Sequence, residues 1–145
     1  MGKIKNFIKN NMPLLILGGF AAVYLFVALR LYIFKFNNFD FGKFDQGNMT
    51  QMVWNTLHGR VLYLTDYFGS NVPRWSMSHV DPILLLFVPI FAVFQHPMTT
   101  AYAQLVLIVL SAFIVYAIAN LELKSKWASC ALAISYLLYP AFGFI

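Results

Sequence analysis

No charged side chain occurs between Pro82 and Leu121, and this interval constrains the fold more than any other feature of the sequence. As one continuous helix it would extend for about 60 Å, roughly twice the ~30 Å hydrocarbon core of a bilayer. The helix must therefore break, and Pro97 supplies the break. We expect a short span or a re-entrant segment over residues 82–95 and a full span over residues 98–119.

The remainder of the chain is also too apolar for a water-soluble domain. Charged residues make up 10% of the sequence, against roughly 25% in soluble domains. Two further apolar runs, residues 12–34 and 127–145, are long enough to cross a bilayer. The first exceeds the 7–15 residues of a signal-peptide core, and we interpret it as an uncleaved signal anchor rather than a cleaved signal peptide. The sequence predicts an all-α, polytopic helical membrane protein.

The distribution of charge predicts the orientation of the chain. Three lysines among the first nine residues favour a cytoplasmic N-terminus in the cytoplasmic membrane, which makes residues 35–81 a large external loop. The net charge of +5 does not indicate nucleic-acid binding, because no face of a folded domain collects the basic residues. The same bias favours a cytoplasmic position for Lys124 and Lys126, which they reach only if residues 82–95 do not cross the membrane. Two lysines beside Glu122 are a weak signal, so the number of crossings stays open.

The external loop contains one clear helix signal. Asp45 can cap the helix N-terminus and Gly59 can end it in a left-handed conformation. We expect this amphipathic helix to lie at the membrane surface, with Trp54 at headgroup depth. Residues 66–75 read as irregular loop, and Asp81 with Pro82 reads as the start of the next helix. The apolar positions of the amphipathic helix are Met49, Met52, Val53 and Leu57.

Three residues of the loop have chemistry that suits a reaction site, and each also has a purely structural interpretation. Asp40 can form an Asx-turn. Asp45 can cap a helix, and an ionised carboxylate there can equally serve as a general base. His79, just before a membrane helix, can be a polar boundary residue. No phosphate-binding loop, Ser/His/Asp set or metal-ligand spacing occurs, and the single cysteine, Cys130, excludes a disulfide framework. We expect no metal and no cofactor.

Three motifs in order make the loop recognisable. Phe39-Asp40-Phe41-Gly42-Lys43-Phe44-Asp45-Gln46 is followed by Trp54-Asn55-Thr56-Leu57-His58-Gly59-Arg60 and then by His79-Val80-Asp81-Pro82-Ile83-Leu84. They resemble the family of predicted membrane proteins classed as domain of unknown function 2079. Members of that family are usually longer. This length, and an apolar C-terminal end without a polar flank, predict that the chain is the N-terminal part of a longer protein.

That family is in turn similar to the GT-C-fold glycosyltransferases, which take a sugar from a polyprenyl-phosphate carrier. The resemblance implies a GT-C-like N-terminal module, with membrane lipid and a polyprenyl-phosphate-linked sugar donor as partners. It implies inverting transfer with Asp45 as the catalytic base, while Gln46 replaces the acidic residue that often follows it.

The same resemblance implies substrate-binding roles for four residues of the loop. Arg60 and Arg74 are candidates to neutralise the lipid phosphate, and Asp40 and His79 to shape the site or bind the acceptor. A non-enzymatic membrane protein, either a transport component or a scaffold, is the alternative. The sequence does not predict the oligomeric state.

Overall fold

A computed structural model describes residues 2–40, 45–77 and 79–139, with side chains for all of these except residues 2–9 and 45. The chain divides into two compact units. The first comprises residues 1–31 and 105–145, and the second comprises residues 32–104.

Two helices are long and apolar enough to cross a membrane. Helix α1 extends over Gly2–Asn37 and contains the candidate span Asn10–Asn37, and helix α4, Thr99–Leu123, is the second candidate span. In their most apolar windows only 17% and 22% of the residues are buried. The core helix of a soluble protein would be mostly buried, so this exposure favours contact with lipid. The first candidate contains the predicted span 12–34. The second contains the predicted span 98–119 except for residue 98.

The first unit is held together by small residues where its helices meet. Ala21 and Ala112 are buried in one cluster, and Cys130 and Ala133 of helix α5, Lys126–Leu137, are buried in another. Small side chains let helix backbones approach closely, which is how helices associate in lipid. The Cys130 thiol donates to the Pro13 carbonyl at 3.2 Å. Of the predicted span 127–145, residues 140–145 lie outside the described residues.

Helix α2 extends over Asp45–Leu57 in the second unit and ends as its sequence predicts. Gly59 has a φ of +83°, and its N–H donates to the Thr56 carbonyl. The N–H of Arg60 donates to the Asn55 carbonyl at 2.9 Å. These two bonds form a Schellman motif, in which the left-handed residue is usually glycine.

The interpretation of residues 66–75 as irregular loop is wrong, and the second unit is therefore not purely helical. Strands β1, Tyr63–Thr65, and β2, Asn71–Pro73, pair antiparallel with Leu64 opposite Val72. The Asp66 carboxylate closes the turn by accepting from the N–H groups of Phe68 and Ser70 at 2.9 and 2.7 Å. The carboxylate thus satisfies two backbone N–H groups of the turn that would otherwise bond to water.

The apolar face of α2 is covered by protein. Met52 and Val53 are buried against the hairpin and against the segment that follows it. These buried side chains of α2 therefore face protein rather than lipid, whereas the placement of α2 at the membrane surface, with Trp54 at headgroup depth, stays a prediction. The other buried members of this core are Leu62, Leu64, Leu84 and Phe91.

A short apolar helix in two parts precedes α4 in the second unit. A 3-10 helix occupies Pro82–Phe87 and continues into helix α3, Val88–Val93. The start at Pro82 agrees with the sequence, since proline suits the first helical position. Asp81 precedes it but makes no side-chain capping bond.

Candidate functional site

A hydrogen-bonded cluster fixes the first half of α2 to the start of α4. Gln46 Nε2 donates to Thr100 Oγ1 at 2.8 Å, and Thr50 Oγ1 donates to the Pro97 carbonyl at 2.9 Å. The two threonine hydroxyls are 3.1 Å apart. Because Thr50 uses its proton on Pro97, Thr100 is the donor between the hydroxyls, so the bonds run in one direction from Gln46 to Pro97.

An open cavity of about 580 Å³ lies beside this cluster. Its size falls within the roughly 300–1,000 Å³ that small-molecule sites span. Its wall is mainly apolar, with four amide or hydroxyl side chains among the lining residues. These residues are Phe36, Phe39, Gln46, Gly47, Thr50, Gln51, Trp54, Phe91, Gln95, Pro97 and Met98.

Trp54 forms one wall of the cavity and stacks on His58. Their ring centroids are 4.0 Å apart and the planes are inclined by 29°. His58 Nδ1 is 2.7 Å from the Trp54 carbonyl oxygen, which requires Nδ1 to carry a proton. The imidazole is therefore held against the indole, which limits how Trp54 can move. Phe36 also contacts an imidazole, that of His96, at 5.6 Å between ring centroids.

Asp45 is the first residue of α2, and its side chain lies outside the described part of the chain. The end of α2 at which Asp45 lies is held in place by the hydrogen bonds of Gln46 to Thr100 and of Thr50 to Pro97. Gly47, two residues after Asp45, lines the cavity and has no atom within 4 Å of the position that a Cβ would take.

Arg74 and Asp81 form an ion pair that the sequence does not predict. Arg74 Nε is 2.7 Å from Asp81 Oδ2, and the two side chains are 17% and 29% exposed. The sequence predicts Asp81 as the cap of the helix that Pro82 begins, but its carboxylate makes no capping bond and instead binds Arg74. Arg74 is consequently less suited to bind a lipid phosphate than its charge alone suggests, because one of its donors already has a carboxylate partner.

The other predicted binding residues are exposed. Asp40 follows α1, Arg60 is the last residue of the Schellman motif, and His79 lies between the hairpin and Pro82. The described residues that line the cavity include none of these three, and they do not include Arg74 either. The structure thus brings Arg74 to Asp81 and does not gather the four binding candidates around one cavity.

Sequence reasoning missed the Gln46 and Thr50 cluster. From the sequence, Gln46 is notable only as the replacement for an acidic residue. Its spacing of four residues from Thr50 places both side chains on one face of α2, which is the signal that was available. Within the described residues, no group of three or more His, Cys, Asp or Glu side chains could hold a metal ion.

The Arg74–Asp81 pair yields a quantitative prediction. Arg74→Gln and Asp81→Asn should each lower the free energy of unfolding by about 1 kcal/mol, because the pair is only partly shielded from water. Equilibrium unfolding in detergent, followed by tryptophan fluorescence, measures this loss. The double variant should lose little more than the worse single variant, with a coupling energy of about 1 kcal/mol. Losses that simply add would show that the two side chains act independently.

The two long, exposed apolar helices are features of a helical membrane protein, and comparison with known proteins gives the family. A model of the predicted membrane proteins called DUF2079 matches residues 35–143, so the chain belongs to that family. The resemblance seen in the three loop motifs is thereby confirmed. No curated protein and no solved structure matches the chain.

Proposed function

We propose that this chain is the membrane module of a GT-C-like glycosyltransferase, which moves a sugar from a polyprenyl-phosphate donor to an acceptor at the external face of the cytoplasmic membrane. One observation carries the proposal: a cavity of about 580 Å³ borders the first turns of the helix that Asp45 begins. Because Gln46 and Gly47 line this cavity, a ligand bound there lies beside the helix end at which Asp45 is proposed to act as a general base.

In the proposed reaction the acceptor hydroxyl oxygen attacks the anomeric carbon of the donor sugar. The hydroxyl proton passes to the Asp45 carboxylate, the bond between the anomeric carbon and the phosphate oxygen breaks, and the lipid phosphate leaves with the electron pair. The configuration at the anomeric carbon inverts.

The walls of the cavity suit a donor with an apolar chain and a polar head. Phe36, Phe91 and Met98 offer apolar contacts, and Trp54 offers a flat ring. Gln46 belongs to the hydrogen-bonded cluster, and Gln51 and Gln95 add two further amides. A cavity of this size accommodates a sugar and the first part of a prenyl chain, with the rest of the chain in lipid.

The substrate-binding roles remain part of the proposal. Arg60 is exposed and free of the Asp81 contact that engages Arg74, so Arg60 is the better candidate to neutralise the lipid phosphate. Asp40 and His79 are proposed to bind the acceptor from the exposed side. The proposed orientation has the N-terminus in the cytoplasm and the second unit outside.

The test is transfer of radiolabelled sugar from a panel of polyprenyl-phosphate sugars, in membranes that contain the complete protein. Labelled product above the level of membranes without the protein supports the proposal. Absence of product with every donor, from protein shown to be folded by its tryptophan fluorescence, contradicts it.

A non-enzymatic membrane protein is the second candidate. The observation that favours it is the position of the four predicted binding residues, none of which lines the cavity. Binding of a polyprenyl-phosphate sugar without any product would support a transport component or a scaffold rather than an enzyme.

A further inference from the structure

The segment Pro82–Val93 is too short to cross a bilayer. Its 3-10 part rises about 2.0 Å per residue and its α-helical part about 1.5 Å, which gives a total length of roughly 21 Å. The hydrocarbon core is about 30 Å thick. The helix ends after Val93, because Phe94 has a φ of −122° and a ψ of 86°, which are not helical.

This short segment is apolar on two opposite faces. Its inner face contributes Leu84 and Phe91, which are 4% and 3% exposed, to the core shared with α2. Its outer face carries Ile83, Leu86, Ile90 and Val93, which are 59%, 67%, 44% and 73% exposed. We call these four residues the outer stripe.

The spacing of the outer stripe is regular. Successive members lie three, four and three residues apart, so they share one side of the helix. A helix on the surface of a water-soluble domain carries polar or charged residues on its outer side. The outer stripe carries none, and water is therefore an unfavourable environment for it.

We infer that Pro82–Val93 lies in the plane of the membrane, with the outer stripe embedded in bilayer lipid and the inner face holding the second unit to the membrane surface. Lipid is the occupant because the chain belongs to a family of membrane proteins and the candidate span Thr99–Leu123 begins only a few residues further on. No charge interrupts the sequence between the outer stripe and that span. This placement is independent of the proposed enzymatic activity.

The basic residues beyond α4 support this placement. If Pro82–Val93 does not cross, α1 and α4 cross in opposite directions, and Lys124 and Lys126 reach the same side as the lysines at the N-terminus. Basic residues near spans favour the cytoplasmic side, so all of them then satisfy that bias. A crossing by this segment would put Lys124 and Lys126 outside.

The placement also has a consequence for the cavity. Phe91 is both a cavity wall and part of the inner face of the segment. The thickness of one helix, about 10 Å, therefore separates the cavity from the lipid that the outer stripe enters.

The first test measures the depth of spin labels. The native cysteine is removed by Cys130→Ala, and single nitroxide labels are attached at Leu86→Cys and Ile90→Cys. Ser70→Cys, on the hairpin turn, is labelled as a control. Each protein is reconstituted in phospholipid vesicles. We expect oxygen to relax the labels at 86 and 90 more than a water-soluble nickel complex does, at a depth of about 5–10 Å, and the reverse at 70. Labels at 86 and 90 that contact nickel would overturn the inference. Labels shielded from both reagents would also overturn it, because they would show a second copy or another protein covering the stripe.

The second test measures sidedness and does not depend on the stripe itself. Single cysteines at Ser70 and Ser125, in the same Cys130→Ala background, are treated with a membrane-impermeant thiol reagent in sealed vesicles of one orientation. The inference predicts that the two positions react from opposite sides. Reaction from the same side would show that Pro82–Val93 crosses the membrane and would exclude an in-plane segment.

Discussion

Asp45→Asn is expected to lower sugar transfer by about 10²- to 10⁴-fold, the range that removal of a general base usually costs. The amount of folded protein should not change, because asparagine caps a helix about as well as aspartate. Initial rates of transfer from the most active donor, at equal amounts of protein in the membrane, measure the effect. An Asp45→Asn protein with full activity would exclude the general-base role.

A second aspartate of the same unit provides the control for that variant. Asp66 accepts two backbone hydrogen bonds through Oδ1, and Asp66→Asn keeps an oxygen in that place. Asp66 does not line the cavity. Its variant should transfer sugar at nearly the normal rate. Equal losses in both variants would show that the assay reports a general effect of removing negative charge.

Leu64→Asp is expected to unfold the second unit. Leu64 is 1% exposed and packs in the core with Val53 and Phe91, so a carboxylate there loses apolar contacts and is buried without a partner. The loss in free energy of unfolding should be at least about 4 kcal/mol. Denaturant unfolding in detergent, followed by the fluorescence of Trp54 and Trp75, measures it.

Val61→Asp is the matched control for this prediction. Val61 lies three residues earlier and is 46% exposed, so the same new charge remains in contact with water. Its cost should stay below about 1 kcal/mol. Similar losses at positions 61 and 64 would contradict the core that the structure assigns to α2, the hairpin and Pro82–Val93.

The ends of the helices could be predicted because single residues determine them. Gly59 takes the left-handed conformation that its place after a helical pattern predicts, and Pro82 begins a helix as its ring geometry favours. Both effects are local and need no knowledge of distant contacts.

The hairpin and the ion pair could not be predicted in the same way. Strands of three residues are too short to show an alternating pattern, and their pairing depends on the turn that Asp66 closes. Arg74 and Asp81 are brought together by the chain folding back after the hairpin. A spacing of seven residues in irregular structure carries no signal for such a contact.

The apolar face of α2 shows a different limit of sequence reasoning. Periodicity indicates that one face avoids water, but it does not distinguish lipid from protein as the cover. In this chain Met52 and Val53 are covered by protein, whereas the outer stripe of Pro82–Val93 is not. Pro82–Val93 has apolar residues on all sides, so its sequence does not distinguish the face that packs on protein from the face that is exposed.

The most direct test of the proposed site is the rate of sugar transfer by Gly47→Leu. A side chain at Gly47 meets no atom within 4 Å of its Cβ and would project along the cavity wall, so it should fill space that a donor needs without disturbing the fold. We predict that unfolding of Gly47→Leu requires at least as much denaturant as that of the unchanged protein, while transfer falls by about 100-fold. Equal rates of transfer by Gly47→Leu and the unchanged protein would contradict the assignment of this cavity as the transfer site.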